Sequence, residues 1–194
     1  MRVLGVDPGL ARTGVAVIDG GVGALILVHA ACVETSPEVD GGDRLAGLFA
    51  AVEKLITMYR PEAAAVEELF FSSNRRSAMQ VSEARGVILL ALARGGVAMS
   101  SYTPLQVKES VAGWGAATKP QVARMTRALL GLDHILGPDD VTDACAVALC
   151  HHHRGRLAAV TGGARSRRAV PAGRLGAAID QARRRQAAVA PRPT

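Results

Sequence analysis

Residues 63–68, Ala63-Ala64-Ala65-Val66-Glu67-Glu68, constrain the fold more than any other stretch of the chain. An apolar run so short, with no polar residue alternating along it, suits a strand covered on both faces, which demands helices above and below a sheet. The rest of the sequence supplies these elements. Val3–Asp7 and Gly14–Ile18 are short β-rich runs separated by Pro8-Gly9 and a polar turn. After the hairpin-like Asp19-Gly20-Gly21, a third such run covers Ala24–Val33. From Asp43 to Tyr59 the residues Leu45, Leu48, Phe49, Val52, Leu55 and Ile56 recur at helical spacing, and Pro61 closes that helix. Further helices are predicted at Arg75–Arg94, Pro104–Val111 and Lys119–Leu130, with a strand at Val97–Tyr102 between them. The last helix starts at Pro138 or Asp139 and runs to about His153. Strands first, then strands alternating with helices, predict an α/β fold: one mixed β-sheet flanked by helices on both faces.

Charge divides the chain in two. Residues 1–150 carry 13 Lys+Arg against 16 Asp+Glu, whereas residues 151–194 carry 10 Arg and one Asp. The expected organisation is a folded domain over residues 1–153 and a basic, mobile tail over 154–194, in which Ala177–Ala188 is the one stretch with helical character. A basic tail on an acidic body points to a polyanionic partner such as nucleic acid. No run of 18 apolar residues exists to span a membrane, and Asp7 arrives too early for the apolar stretch of a signal peptide. Cys32, Cys145 and Cys150 form no CxxC pair, which speaks against a disulfide framework or a Cys-ligated zinc and for a reducing cytoplasm. His151-His152-His153 on a helix point in three directions and do not converge on one ion; a helix end, where a cationic ring suits the dipole, is the expected role.

The acidic residues carry the chemical signal. Asp7 ends the first strand just before Pro8-Gly9, a turn that exposes its carboxylate at the sheet edge. Glu67 or Glu68 ends the buried strand, where an acid has no packing motive, and alternation alone does not choose between them. Asp140 and Asp143 lie three apart at a helix start, so both project from one face, and the helix dipole favours Asp140 there. Each has a bland reading as turn former, strand end or cap; the joint placement at strand ends and one helix start is the specific feature. Two unit charges ~4 Å apart repel by roughly 4 kcal/mol at an effective dielectric of about 20, so clustered carboxylates hold protons or cations between them. An all-oxygen donor set selects Mg²⁺ or Mn²⁺ over zinc, and two such ions suit phosphodiester hydrolysis.

Three stretches then carry a resemblance. Asp7-Pro8-Gly9-Leu10-Ala11-Arg12-Thr13-Gly14 is similar to the D-P-G-x-x-x-T-G opening of the RuvC family of Holliday-junction resolvases, which have a ribonuclease H-like fold. Ala65-Val66-Glu67-Glu68-Leu69-Phe70 resembles its second motif, and Asp140-Val141-Thr142-Asp143-Ala144 its closing D-x-x-D-A, so the likeness spans residues 1 to about 153. The resemblance implies Asp7, Glu67, Asp140 and Asp143 as catalytic metal ligands for two Mg²⁺ ions, with Mn²⁺ as a substitute, and it is the family pattern that selects Glu67. It implies Lys108, in Gln106-Val107-Lys108, and Lys119, in Lys119-Pro120-Gln121-Val122, beside the scissile phosphates. Pro120 departs from the small polar residue usual in the family at that place. Phe70 and Phe71 stand where the family stacks aromatics on unpaired bases, and Arg75 and Arg76 follow where they would meet phosphate. The helix Arg75–Arg94, with Gly86 inside it, resembles the family's dimer helix.

The implied protein is a homodimeric endonuclease that nicks four-way junction DNA in recombination and repair, partnered by the branch-migration motor of the same pathway. Three other readings compete with it: a ribonuclease H-type nuclease for another substrate, a junction-binding protein without catalysis, and an actin-like phosphate loop in Asp7–Gly14. The last requires a second domain of similar build, for which the chain has no room, and no Walker-type loop is present.

Overall fold

The computed structural model describes residues 1–20, 24–68, 75–134 and 137–161, with backbone alone for 75–77 and 156–161. Five strands, β1 (Arg2–Asp7), β2 (Arg12–Gly20), β3 (Leu25–Glu34), β4 (Ala63–Glu67) and β5 (Ala98–Tyr102), form one sheet in the order β3-β2-β1-β4-β5. The pairs β1–β2 and β2–β3 are antiparallel, whereas β1–β4 and β4–β5 are parallel. This is the mixed sheet the sequence predicts. Helices α1 (Gly41–Tyr59) and α2 (Arg75–Arg94) cover one face; α3 (Pro104–Ala112), α4 (Lys119–Leu129) and α5 (Asp139–Thr161) cover the other.

Alternation along the central strands divides the core in two. Leu4, Val6, Ala64 and Val66 pack toward α1 and α2 with Leu48, Val52, Ile88 and Leu92. Val3 and Ala65 face α5 with Ala144, Val147 and Ala148. Both central strands are buried on each side, which is why 63–66 reads as continuous apolar sequence.

Helix α1 starts two residues before the predicted Asp43, because Asp40 caps it through Gly42 N–H (2.8 Å), and it ends at Arg60 in the left-handed conformation. Thr103 and Gln106 form a capping box that starts α3 at Pro104, as predicted. The last helix departs most from expectation, running through Thr161 rather than ending near His153. The histidines therefore lie inside a helix, not at its end, and each binds a different element. His151 Nδ1 meets Tyr102 Oη at 2.8 Å, His152 Nε2 the Ile18 carbonyl at 3.3 Å, and His153 Nδ1 the Ser110 carbonyl at 2.9 Å. Burial, followed by the charge of His152, lowers the His151 pKa, which opposes the cationic role expected for it. Cys145 and Cys150 are buried core residues and no helix among the described residues is long and apolar enough to cross a membrane.

Helix α5 lies directly on β1 and β2, and two missing side chains permit it. A Cβ at Gly5 would run into the Ala144 carbonyl oxygen, and a Cβ at Gly14 into that of Asp140. Replacing Gly14 with Ala is expected to lower the unfolding free energy by at least ~1–3 kcal/mol, since the obstacle is backbone that moves only with the helix. Gly47→Ala, in open space on the exposed side of α1, is expected to gain up to about 1 kcal/mol instead. Urea unfolding of both variants checks this; equal midpoints for Gly14→Ala and the parent protein would contradict the close approach.

Candidate active site

The register of the sheet sets the site. Asp7 is the last residue of β1 and sits opposite Gly14 on β2, while Glu67 ends the adjacent parallel strand β4. Alternation puts both carboxylates on the side of Val3, Gly5 and Ala65, the face covered by α5. The turn after Asp7 is fixed by the buried Thr13, whose hydroxyl donates to the Gly9 carbonyl at 2.5 Å. The first turn of α5 then crosses the sheet over Gly14 and brings Asp140 and Asp143 to the same end.

A cleft of about 400 Å³ opens there, lined by Asp7, Glu67 and Asp143 together with Lys108 and Lys119, and walled by Pro104, Val107, Val122 and Ala146. Glu67, not Glu68, enters the cleft: Glu68 is exposed and spends its backbone N–H on the Tyr102 carbonyl (2.8 Å). Lys108 and Lys119 reach the cleft from the helices α3 and α4. Pro120 occupies the first turn of α4 without disturbing it, where no intrahelical donor is required. Phe70 and Phe71 lie outside the described residues, and Arg75 and Arg76 begin α2 with no side-chain description.

The acids are crowded, and their protonation records it. Burial, reinforced by Glu67, Asp143 and Asp140, pushes Asp7 up to about 8, and Asp7 and Glu67 share a side-chain hydrogen bond. Glu67 and Asp143 are also raised, chiefly by burial. Each acid of α5 is met by a base from another element. Lys119 Nζ lies 3.1 Å from Asp143 Oδ2, and Arg12 Nη2 lies 2.8 Å from Asp140 Oδ2. Burial works against the charge of Lys119, but the bond to Asp143 raises its pKa overall. Asp140 lies within electrostatic reach of Asp7 and Asp143 but does not line the cleft. In this arrangement no three acids among the described residues are disposed to share one cation.

The donor set nevertheless fits hard divalent cations. The candidate ligands are all oxygen, and the cluster contains more negative charge than its buried surroundings tolerate without a proton or a cation. Two residues at the site carry no signal in the sequence pattern. Arg12 is an unspecified position of the first motif, and Arg85, within α2, donates to the Glu67 carbonyl (3.3 Å) and to Ser101 Oγ (2.8 Å), tying β4 and β5 to the helix.

Raised carboxylate pKa values set a sign for stability against pH. Asp7 binds its proton more tightly folded than unfolded, so its contribution is fully present below pH ~4 and is lost as pH rises toward about 8. In chelator, the Asp7 contribution is therefore expected to fall between pH 5 and 8, by up to about 1.4 kcal/mol per pH unit, against the opposite slope of His151, whose pKa is lowered. Asp7→Asn should flatten that slope; urea midpoints across the range check it, and an unchanged slope would show Asp7 ionised in the fold.

Comparisons with known proteins bear on this geometry. The sequence model of the family described as crossover junction endodeoxyribonuclease RuvC matches residues 3–151. The crossover junction endodeoxyribonuclease RuvC of Pelotomaculum thermopropionicum is 46% identical over 153 residues, covering 79% of this chain and 93% of the relative. The structure of Thermus thermophilus RuvC in complex with a Holliday junction substrate is 39% identical with a TM-score of 0.78, covering 81% of this chain and 96% of that one. The yeast mitochondrial Holliday junction resolvase shares the fold at 12% identity, with a TM-score of 0.57 over 82% of this chain and 86% of its own. Sequence and fold agree, and the chain belongs to the crossover junction endodeoxyribonuclease RuvC family.

Proposed function

We propose that this chain resolves four-way DNA junctions by hydrolysing phosphodiester bonds, with Asp7, Glu67, Asp140 and Asp143 as the metal-binding acids. The observation that carries the reading is the convergence of three of these acids and two lysines on one cleft, in a chain whose relatives are named for that activity. Two Mg²⁺ ions, with Mn²⁺ as a substitute, would be held by the four carboxylates; once bound they supply an activated water and stabilise the departing 3′ oxygen. Water adds to phosphorus, the P–O3′ bond breaks, and the products carry a 5′-phosphate and a 3′-hydroxyl.

The chain's own residues bind and orient the strand. Lys108 and Lys119 offer ammonium groups to the non-bridging oxygens of the scissile phosphate, and Lys119 exchanges Asp143 for that phosphate as the acid takes up its ligand role. Phe70 and Phe71 stack on bases unpaired at the crossover, and Arg75 and Arg76 follow them to the backbone, both roles resting on the family resemblance. A homodimer through α2 would match the two-fold symmetry of the junction: Met79 (65% exposed) and Leu90 (54%) lie on one side of that helix with Gly86, beside which there is open space for a second backbone. The partnership with a branch-migration motor and the cytoplasmic setting belong to the same proposal.

The decisive experiment incubates purified protein with a synthetic four-way junction and with linear duplex, with and without Mg²⁺. Mg²⁺-dependent paired nicks in the junction alone are expected. Equal cutting of both substrates would favour a general ribonuclease H-type nuclease, and binding without cutting an architectural protein. Asp7→Asn, Glu67→Gln and Asp143→Asn should each lose cutting by at least a hundredfold, roughly 3 kcal/mol of barrier, while binding the junction near-normally. Glu68→Gln should cut normally; the opposite result for the two glutamates would reassign the ligand.

Residues 162–194 carry eight arginines and one aspartate, and we propose that they add DNA affinity without contributing to the site. Because α5 continues to Thr161, the informative truncation falls after that residue rather than after His153. Contact with three or four phosphates would steepen the dependence of log affinity on log salt by ~3. The truncated protein should lose that slope on junction and duplex alike and still cut at saturation; superimposable slopes would reject the role.

A further inference from the structure

Arg12 is the first residue of β2, at the outer end of the turn that follows Asp7. Its side chain is 51% exposed, whereas that of Asp140, which it touches at 2.8 Å, is 24% exposed. Asp140 Oδ2 is itself buried, and the short contact with Arg12 lacks hydrogen-bond alignment. An approaching anion therefore meets the guanidinium before it meets the carboxylate. Asp143, one turn further along α5, is likewise drawn to a base, Lys119, which also lies 3.8 Å from Asp139. With both acids drawn to bases, the acids are not disposed to share one cation among the described residues, and Asp140 stands off the cleft lining.

We infer that Arg12 is a positioning residue that holds Asp140 back from the metal-binding arrangement and releases it when a DNA backbone phosphate takes the guanidinium. The inference rests on the reading of Asp140 as a ligand given above. It makes assembly of the ion site conditional on nucleic acid, because a phosphate contact removes the cation that competes for the acid. The exchange is feasible in both directions. A half-exposed ion pair is loosely held, so it depresses cation binding by no more than about fivefold, and a planar guanidinium takes two phosphate oxygens at once.

The test uses the full chain and the variants Arg12→Gln, Arg12→Lys and Asp140→Asn. Free Mn²⁺ measured by electron paramagnetic resonance gives cation affinity without DNA, and junction affinity against salt in chelator gives phosphate contacts. Arg12→Gln is expected to bind Mn²⁺ about two- to fivefold tighter and to lower the salt slope by ~0.9, one phosphate contact. Arg12→Lys, which keeps the charge, is expected to restore both toward the parent, which a merely structural role would not do. Unchanged or weaker Mn²⁺ binding by Arg12→Gln, with binding weakened in Asp140→Asn, overturns this inference and leaves the metal site standing. Unaltered Mn²⁺ binding by Asp140→Asn removes Asp140 from the site and takes the inference with it. An unchanged salt slope in Arg12→Gln overturns the phosphate exchange. Thermal melting in chelator identifies any variant that fails to fold, and the lysine variant then decides the matter.

Discussion

The contact of α5 with the sheet is the constraint from which the rest of the structure follows. A helix packed at ordinary distance on side chains would carry its acids several ångströms above the strand ends. Here the Ala144 and Asp140 carbonyls occupy the space that Cβ atoms at Gly5 and Gly14 would fill, so helix and sheet backbones touch. Gly14 is the cross-strand neighbour of Asp7, and the vacancy above it places the first turn of α5 beside that carboxylate. The small residues Ala144 and Ala148, which meet Gly5, belong to the same arrangement. An alanine-rich composition, which elsewhere would signal a thin core, is what a helix seated this closely requires.

That proximity has an electrostatic cost, and the protein meets it by three separate devices. Asp7 and Glu67 hold a proton between them. Asp143 takes Lys119, and Asp140 takes Arg12. At ~4 Å and an effective dielectric of about 20, each unrelieved carboxylate pair would cost roughly 4 kcal/mol, a large part of a domain's net stability. Four carboxylates crowded at one end of a sheet are therefore tolerable because each is relieved by a shared proton or a neighbouring base. The same crowding sets the dependence of stability on pH and underlies the proposed capacity for metal.

How much of this was legible in the sequence depended on what each residue's neighbours were. The strand 63–67 and the two-sided sheet were readable because burial on both faces leaves no polar alternation. Asp7, Glu67 and the acids of α5 were readable as positions, since acids at strand ends and a helix start lack a packing motive. The choice of Glu67 over Glu68 was not legible from local pattern, because it depends on the face that β4 turns to α5, and that emerges only when β1 and β4 pair in parallel. Arg12 and Arg85 were invisible for the same reason: their partners, Asp140 and the Glu67 carbonyl, are distant in sequence. The end of α5 was misplaced because arginine and glycine after His153 read as tail composition, whereas helix continuation costs little once the preceding turns are anchored.

Those anchors explain why the histidine run sits where it does. A helix that approaches the sheet backbone this closely gains little grip from large side chains at its N-terminal end, where Gly5, Gly14 and alanines meet. The grip comes from the other half. His151, His152 and His153 project from α5 in three directions and bind Tyr102 on β5, the Ile18 carbonyl on β2 and the Ser110 carbonyl on α3. Three hydrogen bonds to three elements fix both rotation and translation of the helix, which a single apolar stripe would leave free to slide. The rotation matters because Asp140 and Asp143 lie on one face, and a shift of one residue, about 100° of helix, would carry both away from Asp7. From the far half of α5 the histidines thus help set the angle at which Asp140 and Asp143 meet the strand ends.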